Sequence, residues 1–440
     1  MIKSLVRHEY MGRVKESRGT IIKVEGPASI QVLEGAISVL GSLVKPKERL
    51  VIPKYKSLTI EFIEDSTVEL RLGGEAKVEK LAETMIPSEW RIAAETILSQ
   101  ASKPISCIIL GDVDSGKTTF CTYLANYALS NGFKVGIIDK DPGQTEISVP
   151  TTIGLGIIEK PIYSLEQVEA VTAKFIGSTS PASVIQRVIT ATKQLYEEAL
   201  SRGCDLIIIN TSGWVNGRGA RELKYGVISA IHPQHAVLIQ KANEVEHLIK
   251  PFEKSDINII RVQPSPAIKP KTRDERRARR ESIYRNYFAK ARVRKVNLSS
   301  TKLMFTLFTT GARLSDEALR EYGKALSLDL IYGEESKDSL FLVNREPIQD
   351  KVKIEEEAKR VYGKEDVVLT WLGEEKGLMV GLLAPDLSYL GLGLIREIDY
   401  VKRVMELLTP VEGTISVIQV GLIKLDEDFR EVVKYDRTPL

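Results

Sequence analysis

Cysteine is scarce in this chain of 440 residues, and the three that occur, Cys107, Cys121 and Cys204, stand in apolar stretches without C-x-x-C spacing. We therefore expect core residues rather than disulfide partners or metal ligands, which indicates a reducing compartment. No apolar run approaches the roughly 18 residues that a membrane-spanning helix needs. Residues 1–7 also lack the apolar segment of a signal peptide. A cytoplasmic protein without a membrane partner is expected.

A strong net charge is missing as well. The 62 Lys and Arg residues nearly balance the 59 Asp and Glu residues, which leaves +3 at pH 7. Any basic surface must therefore be local. We find no internal repeat and no low-complexity segment. The chain is too long for a single hydrophobic core, so two to three domains are expected.

Three blocks of different pattern divide the chain. Residues 1–86 show short alternating strands between glycine turns, which predict a compact β-sandwich or barrel. Residues 87–298 open with a helix and then alternate strand and helix, the pattern of a parallel sheet covered by helices. Residues 299–440 return to strands and predict a mostly-β domain with one or two helices. The expected fold class is α/β, with a central parallel-sheet domain between a β-sandwich-like N-terminal domain and a β-rich C-terminal domain.

Individual strands can be predicted from short apolar runs between turn residues. In the central block we predict strands at 106–110, 134–138, 206–209, 235–239 and 257–262. In the last block we predict strands at 303–308, 340–343, 367–371, 378–383 and 413–421.

The most informative motif is Gly111-Asp112-Val113-Asp114-Ser115-Gly116-Lys117-Thr118, which fits G-x-x-x-x-G-K-[ST] at every fixed position. An apolar strand precedes the motif and a helix follows it, so backbone N–H groups and the helix N-terminus would face a phosphate anion. Lys117 is predicted to reach the β- and γ-phosphates of ATP, and the Thr118 hydroxyl to hold Mg²⁺. The predicted ATP-binding residues are Gly111, Asp112, Val113, Asp114, Ser115, Gly116, Lys117, Thr118 and Thr119.

Asp139, Asp141 and Gln144 follow the second predicted strand of the central block. In an open parallel sheet this strand end faces the ligand crevice. Two acids and an amide there can hold Mg²⁺ through water and can orient or deprotonate an attacking hydroxyl. The structural alternative is a polar turn, which the intervening Pro-Gly pair favours.

The third strand of the central block ends in Asn210, where many P-loop ATPases carry an Asp associated with Mg²⁺. The guanine motif N-K-x-D is absent, which argues against a GTPase. Both observations favour a kinase in which the acids after the second strand serve the acceptor hydroxyl. Trp214 follows closely in the sequence Thr211-Ser212-Gly213-Trp214 and is either a core residue or a stacking platform for a base.

A basic tract lies late in the central block. From Lys269 to Lys295 there are 12 Lys and Arg residues and three acids. Arg276 and Arg280 would project from the same side of a helix. A solvated helix face is one interpretation. The other is a lid whose arginines close over a triphosphate and stabilise charge in the transition state, and such a tract would also attract a polyanion.

These motifs together resemble one known family, the polynucleotide 5′-hydroxyl kinases of the eukaryotic pre-mRNA cleavage-factor type, with their archaeal homologues. That family carries a P-loop, a D-x-D-x-x-Q acid motif, a T-x-G-W clasp and an R-x-x-x-R lid. All four occur here in family order. The flanking β-rich domains also agree with the family's architecture, so the resemblance covers essentially the whole chain.

The resemblance implies a role for each matching residue. Lys117 would bind the phosphates, Asp141 would activate the acceptor 5′-hydroxyl, and Arg276 and Arg280 would be the lid arginines. The implied metal residues are Thr118, Asp139 and Gln144. The implied nucleic-acid-binding residues are Thr211 and Trp214 of the clasp, together with Arg273 and Arg277, which offer competing registers for the lid.

Two functions are open at this point. The first is an ATP- and Mg²⁺-dependent kinase that phosphorylates the 5′-hydroxyl of RNA, with DNA as an open second acceptor. The second is a catalytically silent ATP-binding scaffold within an RNA-processing complex. Because the P-loop lysine, both acids and the lid arginines are all present, the kinase is favoured. In either case RNA-processing proteins are expected partners.

Overall fold

The computed structural model describes residues 10–54, 56–266 and 272–440. The segment 1–7 and the start of the basic tract at Lys269 lie outside the described residues. Within the described part of the chain, no helix is both long enough and apolar enough to cross a membrane.

The N-terminal strands form two antiparallel sheets that pack face to face. The sheets have the strand orders β1-β8-β3-β6 and β5-β4-β7-β2-β9. Alternate residues point inward, so that Ile30 and Leu50 of one sheet share a core with Val24 and Ile60 of the other. The predicted sandwich is thereby confirmed. Its strands are β1 (Tyr10–Glu16), β2 (Ile21–Glu25), β3 (Ala28–Glu34), β4 (Ile37–Val39), β5 (Ser42–Val44), β6 (Arg49–Ile52), β7 (Ser57–Phe62), β8 (Ser66–Leu72) and β9 (Lys77–Leu81).

A seven-stranded sheet with the order β13-β12-β11-β14-β10-β15-β16 lies at the centre of the molecule. The five strands from β11 to β16 in this order are parallel. The four inner strands are buried along their whole length and mostly apolar, because helices cover both faces of the sheet. The strands are β10 (Ile105–Gly111), β11 (Val135–Asp139), β12 (Thr152–Ile158), β13 (Ala170–Phe175), β14 (Leu206–Asn210), β15 (His235–Ile239) and β16 (Asn258–Val262).

The predicted parallel sheet has two further strands at one edge. Strands β12 and β13 join the sheet antiparallel, β12 beside β11. The chain between Asp139 and Thr152 forms turns and no helix, and without a crossover helix it returns antiparallel. Gly154 and Gly156 inside β12 weakened its strand signal in the sequence. The sheet is mixed, within the predicted α/β class.

Two helices cover each face of the central sheet. Helices α1 and α2 bury their apolar sides against one face, and α3 and α4 against the other. The helices up to the end of this region are α1 (Ser88–Leu98), α2 (Lys117–Ser130), α3 (Ile185–Ser201), α4 (Arg218–Ile231), the short α5 (Glu246–Ile249) and α6 (Arg273–Phe288).

The C-terminal region contains two further sheets and two helices. One sheet has the order β17-β25-β24-β23-β26-β18, with β27 paired to β26, and the other has the order β19-β20-β21-β22. Helices α7 (Asp316–Leu326) and α8 (Lys351–Tyr362) pack beside the smaller sheet. The strands are β17 (Arg292–Asn297), β18 (Lys302–Met304), β19 (Ala312–Arg313), β20 (Leu330–Glu335), β21 (Ser339–Asn344), β22 (Asp366–Trp371), β23 (Leu378–Leu383), β24 (Tyr389–Asp399), β25 (Val404–Thr409), β26 (Val417–Leu425) and β27 (Glu431–Lys434).

Several C-terminal strands differ from the sequence prediction. The strand predicted at 303–308 ends at Met304, because Phe305 has a φ of +65° that strand geometry does not allow. The long strand β24 was missed because two glycines interrupt its apolar pattern. Strand β17 pairs with β25 of the C-terminal sheet. We therefore propose a boundary before Arg292 in place of the one expected between residues 298 and 299.

The C-terminal region is joined tightly to the central domain. The Leu422 N–H donates to the Gly177 carbonyl over 2.6 Å, and the Phe175 ring lies where a side chain at Gly381 would stand. On the same side, Tyr284 and Phe288 of α6 are buried in a cluster of C-terminal apolar residues. The fold thereby fixes one end of helix α6 against the C-terminal sheet.

Candidate active site

The P-loop lies between β10 and α2, as predicted. Gly116 has a φ of +91° at the start of α2, a left-handed conformation that favours glycine. Lys117 is 8% exposed, and its Nζ donates to the Asp112 carbonyl over 2.6 Å. Burial lowers the pKa of Lys117 to about 8, while the neighbouring Asp141 acts in the opposite direction. The loop therefore holds a partly desolvated cation at a helix N-terminus, an arrangement that attracts phosphate.

Asp139 ends β11 next to Asn210 at the end of β14, because parallel strands terminate at the same edge of the sheet. The Asn210 Nδ2 donates to Asp139 Oδ1 over 3.1 Å and lies 3.4 Å from Thr118 Oγ1. The Glu146 N–H donates to the second carboxylate oxygen of Asp139 over 2.6 Å. Burial raises the pKa of Asp139 to about 7. Carboxylate, amide and hydroxyl thus form one oxygen-rich cluster under the P-loop.

Asp141 is held by the turn that follows it. Its Oδ1 accepts hydrogen bonds from the backbone N–H groups of Gly143 and Gln144, each over 3.0 Å. The polar-turn interpretation of this segment is therefore correct as a description of its backbone. The turn also brings polar side chains to one cavity, which is lined by Asp141, Gln144 and Glu146.

The segment Thr211–Trp214 contacts the P-loop from the other side. The Thr211 hydroxyl donates to the Ile109 carbonyl over 2.7 Å. A side chain at Gly213 would lie 2.7 Å from the Val113 Cα, so only glycine permits this approach. Trp214 is half-buried and packs against Gly219 and the core beside α3 and α4. The described residues lining the cavity include Thr211 and Gly213 but not Trp214.

Helix α6 brings some predicted arginines to the cavity and not others. Its first turn has a capping box between Thr272 and Glu275. The Arg276 guanidinium bonds Asp114 of the P-loop over 2.7 Å and lines the cavity. Arg280 bonds Glu431 of β27 and is not among the described residues lining the cavity.

The other two predicted arginines of α6 are not among the described residues that line the cavity. Arg273 is exposed at the first turn of the helix. Arg277 bonds Glu281 one turn further along the helix, over 2.9 Å. Their predicted roles in binding nucleic acid, like the role of Trp214, stay predictions.

The cavity itself has a volume of about 430 Å³, which suits a nucleotide. The P-loop and the acid turn form one end of it. Apolar residues of the N-terminal sandwich and of the central domain line another part, called the apolar end below, and the segment 164–167 and α6 add polar side chains to the lining. The apolar end is lined by Leu40, Val51, Ile52, Pro53, Leu58, Met85, Ile86, Trp90 and Tyr163.

One buried side chain of the P-loop helix bonds the sandwich directly. Asn126 of α2 donates to the Leu40 carbonyl over 2.9 Å and to the Ile162 carbonyl over 2.7 Å. Its Oδ1 accepts from the Ile162 N–H over 2.9 Å. All hydrogen-bonding atoms of this fully buried amide are thus satisfied, which ties three distant segments together. Nothing in the local sequence around Asn126 pointed to this contact.

Two buried lysines near the site were missed by the sequence analysis. Lys224 of α4 donates to the Ser212 carbonyl over 2.7 Å and so supports the segment Thr211–Trp214. Lys140 lies between the two site acids, is fully buried, and has no hydrogen-bond partner for its Nζ among the described residues. Burial lowers the pKa of Lys140 to about 8, with Asp141 acting in the opposite direction. From the sequence alone, a lysine between two acidic residues would be expected on the surface. Only the fold shows that Lys140 is buried.

Taken together, a P-loop on a parallel sheet, an acid turn beside it and a basic helix over both define a P-loop phosphotransferase. The family model described as the mRNA cleavage and polyadenylation factor CLP1 P-loop matches residues 111–290. This segment contains all four motifs of the sequence analysis. The membership of a P-loop family implies ATP binding.

Two archaeal relatives and one solved structure show how far the likeness extends. The chain is 30% identical to a polyribonucleotide 5′-hydroxyl-kinase of Methanocaldococcus jannaschii over 360 residues, which cover 80% of this chain and 96% of the relative. It is 31% identical to a polyribonucleotide 5′-hydroxyl-kinase of Pyrococcus abyssi over 357 residues, 81% of this chain and 97% of the relative. A Clp1p structure in complex with Pcf11p shares the fold, with a TM-score of 0.61 at 14% identity over 96% of this chain and 99% of that one.

The chain belongs to the polyribonucleotide 5′-hydroxyl-kinase family, and the family predicted from its four motifs is confirmed.

Proposed function

We propose that this protein transfers the γ-phosphoryl group of ATP to the 5′-hydroxyl of RNA. The observation that carries the proposal is that Lys117 and Asp141 line the same cavity, one on the P-loop and one on the acid turn. This reaction needs a cation that binds the phosphates and, close to it, a carboxylate that accepts the proton of the acceptor hydroxyl. The family's archaeal relatives carry the name of this activity.

The lining of the cleft suggests one orientation for ATP. The triphosphate would lie along residues 111–119, where backbone N–H groups and Lys117 would neutralise its charge. The base would then lie among the apolar lining residues, which include Leu40 and Ile52 of the sandwich. The γ-phosphate would face Asp141 and helix α6, which line the same cavity.

The oxygen cluster fits Mg²⁺. Thr118 Oγ1 and a carboxylate oxygen of Asp139 are hard oxygen donors, and Asn210 Oδ1 is a buried oxygen without a hydrogen-bond partner among the described residues. No group of three or more acidic, His or Cys side chains in the described chain could hold a metal ion alone. Mg²⁺ commonly uses one or two protein ligands together with phosphates and waters. Thr118, Asp139 and Gln144 would hold Mg²⁺, directly or through water, and the ion would supply positive charge to the phosphates.

The other parts of the reaction are assigned to side chains of the protein. Asp141, its Oδ1 fixed by the Gly143 and Gln144 N–H groups, accepts the proton of the attacking 5′-hydroxyl. Lys117 stabilises the charge that develops on the transferring phosphoryl group. Arg276 donates to the Asp114 carboxylate of the P-loop over 2.7 Å and would close the cleft above the phosphates. The walls of the cavity exclude water, which otherwise competes with the acceptor hydroxyl.

The test is a transfer assay with γ-labelled ATP, Mg²⁺ and four oligonucleotides of one sequence: 5′-hydroxyl RNA, 5′-phosphorylated RNA, 5′-hydroxyl DNA and an RNA duplex. We expect label on 5′-hydroxyl RNA and none on 5′-phosphorylated RNA. The DNA and duplex arms measure acceptor range. Tight ATP binding without transfer to any acceptor would contradict the kinase and support the scaffold function. The association with RNA-processing proteins stays a prediction.

A further inference from the structure

The arginines of helix α6 divide into two pairs by what they contact. Arg276 and Arg279 line the cavity, whereas Arg277 and Arg280 bond Glu431 of β27 in the C-terminal region. At about 100° per residue, Arg276 lies between Arg279 and Arg280 around the helix, so the helical spacing fits either pairing and the contacts decide between them. The family motif R-x-x-x-R pairs Arg276 with Arg280, whereas the fold pairs Arg276 with Arg279.

Arg280 is committed to the C-terminal region. Its Nε and Nη2 bond the two carboxylate oxygens of Glu431 over 2.6 and 2.8 Å, and the two side chains are only 16% and 15% exposed. Arg277 donates to the Glu431 carbonyl from one turn earlier. Breaking a bidentate pair that is largely withdrawn from water leaves an uncompensated charge and is strongly destabilising. Arg280 therefore anchors the helix.

Arg279 has a more exposed ion-pair partner than Arg280 has. Unlike Arg280, it lines the cavity. Its Nη2 bonds Glu166 over 3.0 Å, and the same carboxylate receives Lys56 of the sandwich over 3.2 Å. All three side chains line the cavity. Because Glu166 has two cationic partners, Lys56 still neutralises it when Arg279 turns toward a bound anion. The exchange of Glu166 for a phosphate oxygen thus leaves no carboxylate unpaired.

We propose that Arg279, together with Arg276, contacts the phosphates of the bound nucleotide, and that Arg280 instead fixes helix α6 to Glu431. Glu166 is a positioning residue that holds Arg279 over the cleft. Through the bond between Arg280 and Glu431, the C-terminal region fixes the distance between helix α6 and the P-loop. This inference rests on the proposed function, because it takes the cavity to be the ATP site. It assigns to this chain a lid spacing of three residues rather than four.

The test compares Arg279→Ala with Arg280→Ala, which remove the same side chain at adjacent positions, and uses Glu431→Gln as the matched variant for the anchor. Affinity for a non-hydrolysable ATP analogue with Mg²⁺, kcat for transfer and Tm are measured for each. We expect Arg279→Ala to weaken nucleotide binding and to lower kcat by about 10²-fold or more, at a wild-type Tm. We expect Arg280→Ala to follow Glu431→Gln in every readout, with a lowered Tm and no further loss in the double variant.

Two results would overturn the assignment. One is a fall in kcat for Arg280→Ala at wild-type Tm, with Arg279→Ala close to wild type, which restores the four-residue spacing. The other is an Arg279→Ala effect confined to the KM of the oligonucleotide acceptor, which places Arg279 on the acceptor instead. If the wild-type protein transfers no phosphate, the proposed function fails. Nucleotide affinity and Tm still decide between Arg279 and Arg280 in that case.

Discussion

The two ends of the cleft are built in different ways. The phosphate end is one continuous stretch, Gly111–Thr119, between a strand and a helix that are neighbours in sequence. The apolar end is assembled from the sandwich, the start of α1 and the segment around Tyr163, which lie far apart along the chain. Phosphate needs backbone N–H groups in a fixed conformation, which a short sequence can encode. An apolar wall needs only surface of the right shape, which distant residues can supply together.

The largest effect should come from the phosphate end. Lys117→Ala removes the buried cation of the P-loop, so we expect transfer to fall by at least about 10²–10³-fold and ATP binding to weaken strongly. Steady-state transfer and titration with an ATP analogue measure the two effects. Lys160→Ala, at an exposed position outside the cavity lining, is the control. Transfer near the wild-type rate in Lys117→Ala would show that the loop is not the catalytic site.

The acid turn at the same end should give a different signature. Asp141→Asn keeps the shape of the side chain and removes the proton acceptor, so transfer should fall by about 10²–10⁴-fold while ATP affinity persists. Asp139→Asn is the matched variant, and its main effect should be on the Mg²⁺ concentration needed for activity. If Asp141→Asn keeps the wild-type rate, another group is the base.

The apolar end should show only a binding effect. Leu40→Ala removes three carbon atoms from the wall, which is worth about 1–2 kcal/mol of contact and about 5–30-fold in the KM for ATP. Because such contacts are equal in ground and transition state, kcat should not change. Leu43→Ala, an exposed position of the same sandwich, is the control. A fall in kcat for Leu40→Ala alone would mean that the two ends are coupled.

The smallest effect on activity, and an increase in stability, is expected for Lys140→Met. The Lys140 ammonium is fully buried, with Asp141 as a favourable neighbour and the Lys224 ammonium as an unfavourable one. Replacing it with an apolar side chain of similar length should raise Tm.

The gain in Tm should depend on pH. Folding lowers the pKa of Lys140 from 10.5 to about 8, so the cost of burying its charge is full below pH 8 and fades between pH 8 and 10.5. The gain in Tm should shrink over the same range, as thermal melts at pH 7, 9 and 10.5 would show. A lower Tm at pH 7 would mean that Lys140 has a favourable partner in solution.

Prediction from sequence succeeded where the pattern was local. The P-loop, the acid turn, the helices around the sheet and the sandwich follow from motif spacing and alternation of apolar residues. It failed for β12 and β24, where glycines inside a strand hide its periodicity. The lid role of Arg280 stays a prediction, and its bond to Glu431 is a contact that motif spacing does not reveal.

The sequence by itself determined the chemistry of the phosphate end, because glycine conformation, a lysine and a helix N-terminus are properties of consecutive residues. It determined the family as well, because four motifs occur in a fixed order. Only the tertiary structure decided which arginines of α6 face the cleft, that Lys140 lies inside, and that Asn126 joins the sandwich to the P-loop helix. Each of these depends on what packs against a residue from a distant part of the chain, and neither spacing nor composition records that neighbour.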